Sequence, residues 1–436
     1  MVFKVNRAMA KRLVATVATG LIFPPLLLKF IVTTQPFLVR RTAFGMAGVV
    51  YGLTLKLGPT ADGTRHLEKA SYFYEGMSFS TFLGQLLSIL RLEGTPGGVY
   101  DPFVHFVSYV STGLLGAPSL FFPIIGWVFG WYFGGAVLLA LRRFRWENVN
   151  YVLGFFIVVL LFLRGLNEIQ AVRMWTAMWL AVYSTLAWSD SKKVSALIPF
   201  FLAPLVHFSF LIICPAIALA WLFRRRRWAV SLAFLATSIV SVPLQMTGFG
   251  AIEDTALFES RSSYITDRAS TSSSERTQQS AGSSGSWYLR FVRSGGIDLA
   301  FSLLAVVLIA SGFYRMADGS PRDLLSVGIG LMVFSNLVVF APALASRTNF
   351  IAATFLLLGF ISARLVAAER KKSFTDNPGL YKYGINIATV ALLPILLYSL
   401  SSNTEGISYL IFFTPGVALL FPDMNMSIKE FILFLL

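Results

Sequence analysis

Arg164-Gly-Leu-Asn167-Glu168-Ile-Gln170-Ala-Val-Arg173 sets five hydrogen-bonding side chains, three of them charged, between two long apolar runs. Tyr151–Leu163 stands before this cluster and Met174–Trp188 after it. An ionisable group at membrane depth costs ~2.5 kcal/mol or more, and it persists where it meets a partner, a ligand or a water-filled cavity. Two arginines in such a place point to an anionic ligand handled at a membrane surface, with Asn167 and Gln170 as neutral contacts. Other polar groups stand out against apolar sequence: Asp62 in a Pro/Gly-containing stretch, His207 within an apolar run, Arg347 between two runs, and Trp287-Tyr288-Leu-Arg290-Phe-Val-Arg293.

The chain that must position them has 436 residues, of which 56% are hydrophobic and only 13% charged, against about 25% charged in a soluble domain. The apolar segments are continuous rather than alternating, which predicts an all-α, polytopic helical membrane protein and not a barrel. Cys214 is the single cysteine, and His66, His105 and His207 are the only histidines, with no metal-ligand spacing among them. No metal or cofactor is therefore expected. There is no P-loop, no dinucleotide fingerprint and no nucleophile elbow. The net charge of +15 sits largely in short basic clusters between apolar runs. That is the pattern of cytoplasmic loops, and it argues against nucleic acid as a partner.

Arg142-Arg143-Phe-Arg145, Lys192-Lys193, Arg224 to Arg227 and Arg370-Lys371-Lys372 then mark cytoplasmic turns. Spans are expected near 43–57, 118–141, 149–163, 170–188, 228–245, 297–314, 323–342, 349–366 and 380–400. Alternation puts Asp62, the 164–173 cluster, the turn at Ser346-Arg347 and the long loop 246–296 on the far side, which we read as periplasmic. Residues 13–34 and 79–115 resist a simple span count. Only 30 residues separate Lys193 from Arg224, too few for two full crossings, which need ~40. A short hairpin bending near Pro199, Pro204 and His207 is the economical solution. Loop 246–296 is rich in serine, and its Trp287–Arg293 end is either an aromatic belt or a lid. The whole, 1–436, is expected to be one membrane domain with about 11–14 transmembrane or re-entrant helices.

An ordered series of short motifs resembles the Wzy/EpsG-type bacterial O-antigen and capsular polysaccharide polymerases. It runs Pro59-Thr-Ala-Asp62 followed by Tyr72, then Tyr100-Asp101-Pro102-Phe103, then Arg173-Met-Trp-Thr-Ala-Met-Trp-Leu-Ala, then Lys192-Lys193 and Val206-His207-Phe208-Ser209-Phe210. It covers about residues 58–222. The resemblance implies a GT-C-like helical architecture in the bacterial inner membrane, one long periplasmic loop and a site facing the periplasm. It implies undecaprenyl-pyrophosphate-linked oligosaccharides as donor and acceptor, with a chain-length regulator as a further partner.

Residue chemistry agrees with that reaction. A pyrophosphate leaving group must be held without a metal, and guanidinium groups bind phosphate in a bidentate way. Arg164, Arg173 and Arg347 are the first candidates, Arg290 and Arg293 the second. A base is needed for the acceptor hydroxyl, and His207, Asp62 and Glu168 are the choices. Each has a plainer alternative. Glu168 can neutralise Arg164 as an i,i+4 pair, Asp62 can cap a helix, His207 can be a core histidine, and Arg347 can snorkel. A ligase or other lipid-linked glycosyltransferase stays open as an alternative, as does a flippase for the same lipids.

Overall fold

The computed structural model describes residues 7–33, 35–57, 62–91, 93, 98–99, 101–247, 287–291, 295–339, 341–370, 375–412 and 426–435. The described chain is helical, with two isolated backbone bridges, Leu55 to Ile407 and Ser408 to Ser427, and no strand. In order the main helices are α1 (Arg7–Ile22), α2 (Leu27–Val32), α3 (Phe37–Leu53), α4 (Asp62–Tyr74), α5 (Phe79–Leu90), α6 (Pro102–Ser108), α7 (Phe121–Ala140), α8 (Tyr151–Leu163), α9 (Met174–Ser191), α10 (Ile198–Val206), α11 (Phe210–Leu222) and α12 (Arg227–Thr247). After these come α13 (Ile297–Ala310), α14 (Gly319–Leu337), α15 (Pro342–Arg370), α16 (Pro378–Gly406) and α17 (Ile428–Leu435). Among the described residues, four stretches are long and apolar enough to cross a membrane: Pro118–Ala140, Tyr151–Ala171, Ala343–Arg370 and Pro378–Gly406. This is the build of an all-α membrane protein.

The chain divides into two compact units. One comprises Met1–Arg142, Arg164–Leu211 and Leu400–Leu436, the other Arg143–Leu163 and Ile212–Ser399. In the first, α3 lies along α7, α7 along α9, and α9 along α10. Glycines decide the first of these contacts. Gly48 on α3 faces Gly126 on α7, Gly52 meets the Phe122 backbone and Gly130 the Phe44 backbone, and a Cβ at Gly48 would stand 1.9 Å from the Gly126 carbonyl oxygen. Small residues at four-residue spacing let helix backbones approach where no water drives association. A buried arginine ties the three helices together. Arg41 of α3 donates from Nε to the Trp131 carbonyl (2.9 Å) and from Nη1 to the Tyr183 hydroxyl (2.9 Å), with its guanidinium 4.4 Å from the Trp131 ring and 4.1 Å from the Tyr183 ring.

In the second unit α14 packs on α12 and α15, and α15 on α8, where Phe156 meets Phe360 at 4.6 Å. Arg143 pairs with Glu369 there, as Arg142 does with Asp190 in the first unit.

One local expectation comes out differently. Arg347 does not close a turn: it lies in the second turn of α15, because Pro342 supplies the fixed φ of a helix start and the helix runs unbroken to Arg370. Between Lys193 and Arg224 the chain forms two short helices, α10 and α11, interrupted at His207-Phe208-Ser209. Of loop 246–296, residues 248–286 and 292–294 lie outside the described residues.

Candidate functional site

Four helix ends of the first unit come together, and each brings one polar group. α4 starts at Asp62. Asp101 precedes Pro102, whose ring suits the first position of α6, so the carboxylate sits at that helix's N-cap without capping it. Arg173 precedes α9. His207, extended at φ −149°, follows the last residue of α10, which Pro204 keeps short.

Asp101 is the hub. Its side chain is 4% exposed, and its two oxygens serve two partners. Oδ2 accepts from Arg173 Nη1 at 2.5 Å, and Oδ1 accepts from the Phe208 backbone N–H at 3.2 Å. Arg173 Nη2 reaches Asp62 Oδ2 at 3.9 Å, and His66 Nε2 reaches the same oxygen at 3.5 Å. His66 first, then the charges of Arg173 and Arg65, hold the Asp62 carboxyl down at about 2. His207 Nδ1 accepts the Ser209 N–H at 3.1 Å. Val172, just before Arg173, is a β-branched residue at φ 52°, a conformation that costs of order 1–3 kcal/mol and survives where the surroundings over-determine it.

A second layer lies in the 3-10 turn Leu166–Ala171. Arg164 and Glu168 form the i,i+4 ion pair, with the Arg164 guanidinium 3.8 Å from the Trp175 ring centre and the Arg164 carbonyl accepting from Trp179 Nε1 at 3.0 Å. The turn's backbone supports α4, since a Cβ at Gly63 would stand 2.7 Å from the Gln170 carbonyl oxygen. Among the described residues, buried polar atoms here without a hydrogen-bond partner include Tyr51 Oη, both ring nitrogens of His66 and Asn167 Oδ1. Tyr51 is within electrostatic reach of Glu168.

Asp62, Arg164, Asn167, Glu168, Gln170, Arg173 and His207 therefore belong to one unit. Arg173 touches Asp62 directly, and Asp101 links Arg173 to the His207 turn. Arg347 belongs to the other unit and is half-buried on α15. The Arg290 side chain and all of Arg293 lie outside the described residues. The sequence reading gave neither Asp101 nor His66 a role in the site. Asp101 stood in the Tyr100–Phe103 motif as the residue before a helix-starting proline, and His66, four residues after Asp62 on an amphipathic helix, was within reach of simple periodicity. His105 is a clamp rather than a site: Nδ1 accepts from the Tyr74 hydroxyl at 2.7 Å, Nε2–H donates to the Phe82 carbonyl at 3.0 Å, and the ring stacks on Phe82.

The charges nearly cancel. Asp62, Asp101 and Glu168 face Arg164 and Arg173, and exposed Arg65 on α4 evens the balance. Such a cluster can accept hydrogen bonds, orient a hydroxyl and hold polar groups in register, but among the described residues it carries no surplus positive charge for an anion. No known protein family matches the chain, and neither does any curated protein or solved structure.

Proposed function

We propose that the chain is a polysaccharide polymerase of the bacterial inner membrane. It transfers a growing glycan from undecaprenyl pyrophosphate to the next lipid-linked repeat unit at the periplasmic face. One observation carries this reading. The motifs that resemble the Wzy/EpsG-type polymerases are scattered from Asp62 to His207, yet their polar members meet: Arg173 bridges Asp62 and Asp101, and Asp101 fixes the amide beside His207. Four helix ends converging on one charged cluster in an apolar protein need a reason, and a reaction on a lipid-linked substrate supplies one.

In the reaction an acceptor hydroxyl oxygen attacks the anomeric carbon of the donor. The new C–O bond forms as the anomeric C–O bond to pyrophosphate breaks, and the pyrophosphate leaves with that electron pair. The hydroxyl proton passes to a nearby base. Arg173 orients the carboxylates, since a planar fork can serve both Asp101 and Asp62 while a lysine's point charge serves them less well.

The test is reconstitution. Full-length protein in liposomes is given undecaprenyl-pyrophosphate-linked repeat units extracted from cells lacking it. The expected products are a ladder of multimers and free undecaprenyl pyrophosphate, with Arg173→Lys slower by tenfold or more at about the same protein level. Single repeat units left unchanged by the wild type would overturn the proposal.

A further inference from the structure

Whatever reaches this cluster from outside meets Asp62 first. Its side chain keeps 52% of its surface exposed, against 19% for Arg173, 15% for Arg164, 13% for Glu168 and 4% for Asp101. A phosphate would meet an ionised carboxylate, and beyond it two guanidiniums already engaged by acids. A sugar hydroxyl would meet a strong hydrogen-bond acceptor.

We propose, resting on the polymerase reading, that Asp62, His66, Arg173 and the 166–171 turn form the subsite for the acceptor glycan, and that the pyrophosphate is held elsewhere. The class of ligand is a neutral or amino sugar, recognised through its hydroxyls. A second observation points the same way. Tyr51 Oη, His66 Nδ1 and Asn167 Oδ1 are buried atoms of this cluster without partners, and atoms of that kind are rare enough to need a reason. Asn167 Oδ1 can only accept, and Tyr51 Oη can both donate and accept. Hydroxyls, which also do both, satisfy such a mixture. Phosphate oxygens only accept, so they leave Asn167 Oδ1 unserved.

The experiment measures binding and turnover separately. The probes are inorganic pyrophosphate and the free repeat-unit oligosaccharide released from its carrier by mild acid. Each is titrated against full-length protein in lipid nanodiscs, the oligosaccharide by saturation-transfer NMR and the pyrophosphate by 31P line broadening. Asp62→Asn keeps the size and polarity of an exposed helix-start residue, so the fold is retained. The oligosaccharide is expected to bind the wild type and to weaken tenfold or more in Asp62→Asn, while pyrophosphate binding stays level or improves. Oligosaccharide affinity that ignores Asp62→Asn overturns the subsite. So does pyrophosphate binding that is lost in Asp62→Asn. Elongation with an unchanged acceptor KM in that variant overturns the subsite and leaves the polymerase reading standing. Asp62-dependent sugar binding without any elongation by the wild type does the reverse.

Discussion

A backbone N–H can only donate, so the Ser209 amide at 3.1 Å requires a lone pair on His207 Nδ1. The neutral ring then carries its proton on Nε2 and offers a donor, not a base. From sequence, a histidine in an apolar run beside a hydroxyl substrate reads as a proton acceptor, and a glutamine there as a loss. With the proton on Nε2, the role expected of His207 is that of a donor. The amide nitrogen of glutamine reaches about as far as Nε2, so His207→Gln is expected to keep most of the polymer. His207→Asn and His207→Ala lose a donor and fall by about 10²-fold or more. Chain-length profiles at matched protein level check this, and equal losses in the Gln and Ala variants would return His207 to the role of base. Asp101 explains why so much of the site was hidden. Its partner Arg173 is 72 residues away, beyond any local pairing rule, and only the fold joins them.

At the scale of elements, apolar composition was enough to locate the long helices, because length and hydropathy decide them without tertiary help. Their junctions were less legible. The strained φ at Val172 has no local signature, whereas the break at His207 was legible in the prolines before it and in the shortness of the apolar run. The close approach of α3 and α7 was written in evenly spaced glycines, although hydropathy alone ignores it. It yields a direct expectation. A methyl group at Gly48 or Gly126 has nowhere to go, since backbone oxygens stand at 1.9 and 2.1 Å from the added carbon. Gly48→Ala and Gly126→Ala should each destabilise by about 1–3 kcal/mol or more, whereas Gly84→Ala, with open space around it, should be silent. Thermal unfolding of the detergent-solubilised protein measures all three, and equal midpoints would mean the two helices stand farther apart.

For the whole molecule, the charge pattern makes a claim about sidedness. Lys193 and Arg226 belong to clusters read as cytoplasmic, and Arg65 stands on α4 beside the site read as periplasmic; all three are exposed. The chain is well suited to a test, because Cys214 is its single cysteine and is buried. In a Cys214→Ala background, cysteines at 193 and 226 should react with a membrane-impermeant maleimide only in inside-out vesicles, and a cysteine at 65 only in intact spheroplasts. Labelling of 65 and 226 from one face would overturn the orientation and move the site to the cytoplasm.

The Asp101–Arg173 pair also has a consequence for the making of the protein. A chain threaded into a membrane from its N-terminus delivers Asp101 long before Arg173 has been synthesised, with α7 and α8 in between. Until then the carboxylate has no guanidinium, and the turn that holds His207 does not yet exist. Arg173 and the Phe208 amide arrive in that order and close the same two oxygens. This unit therefore closes late in synthesis, since Asp101 gains its full set of partners only once residue 208 has been added.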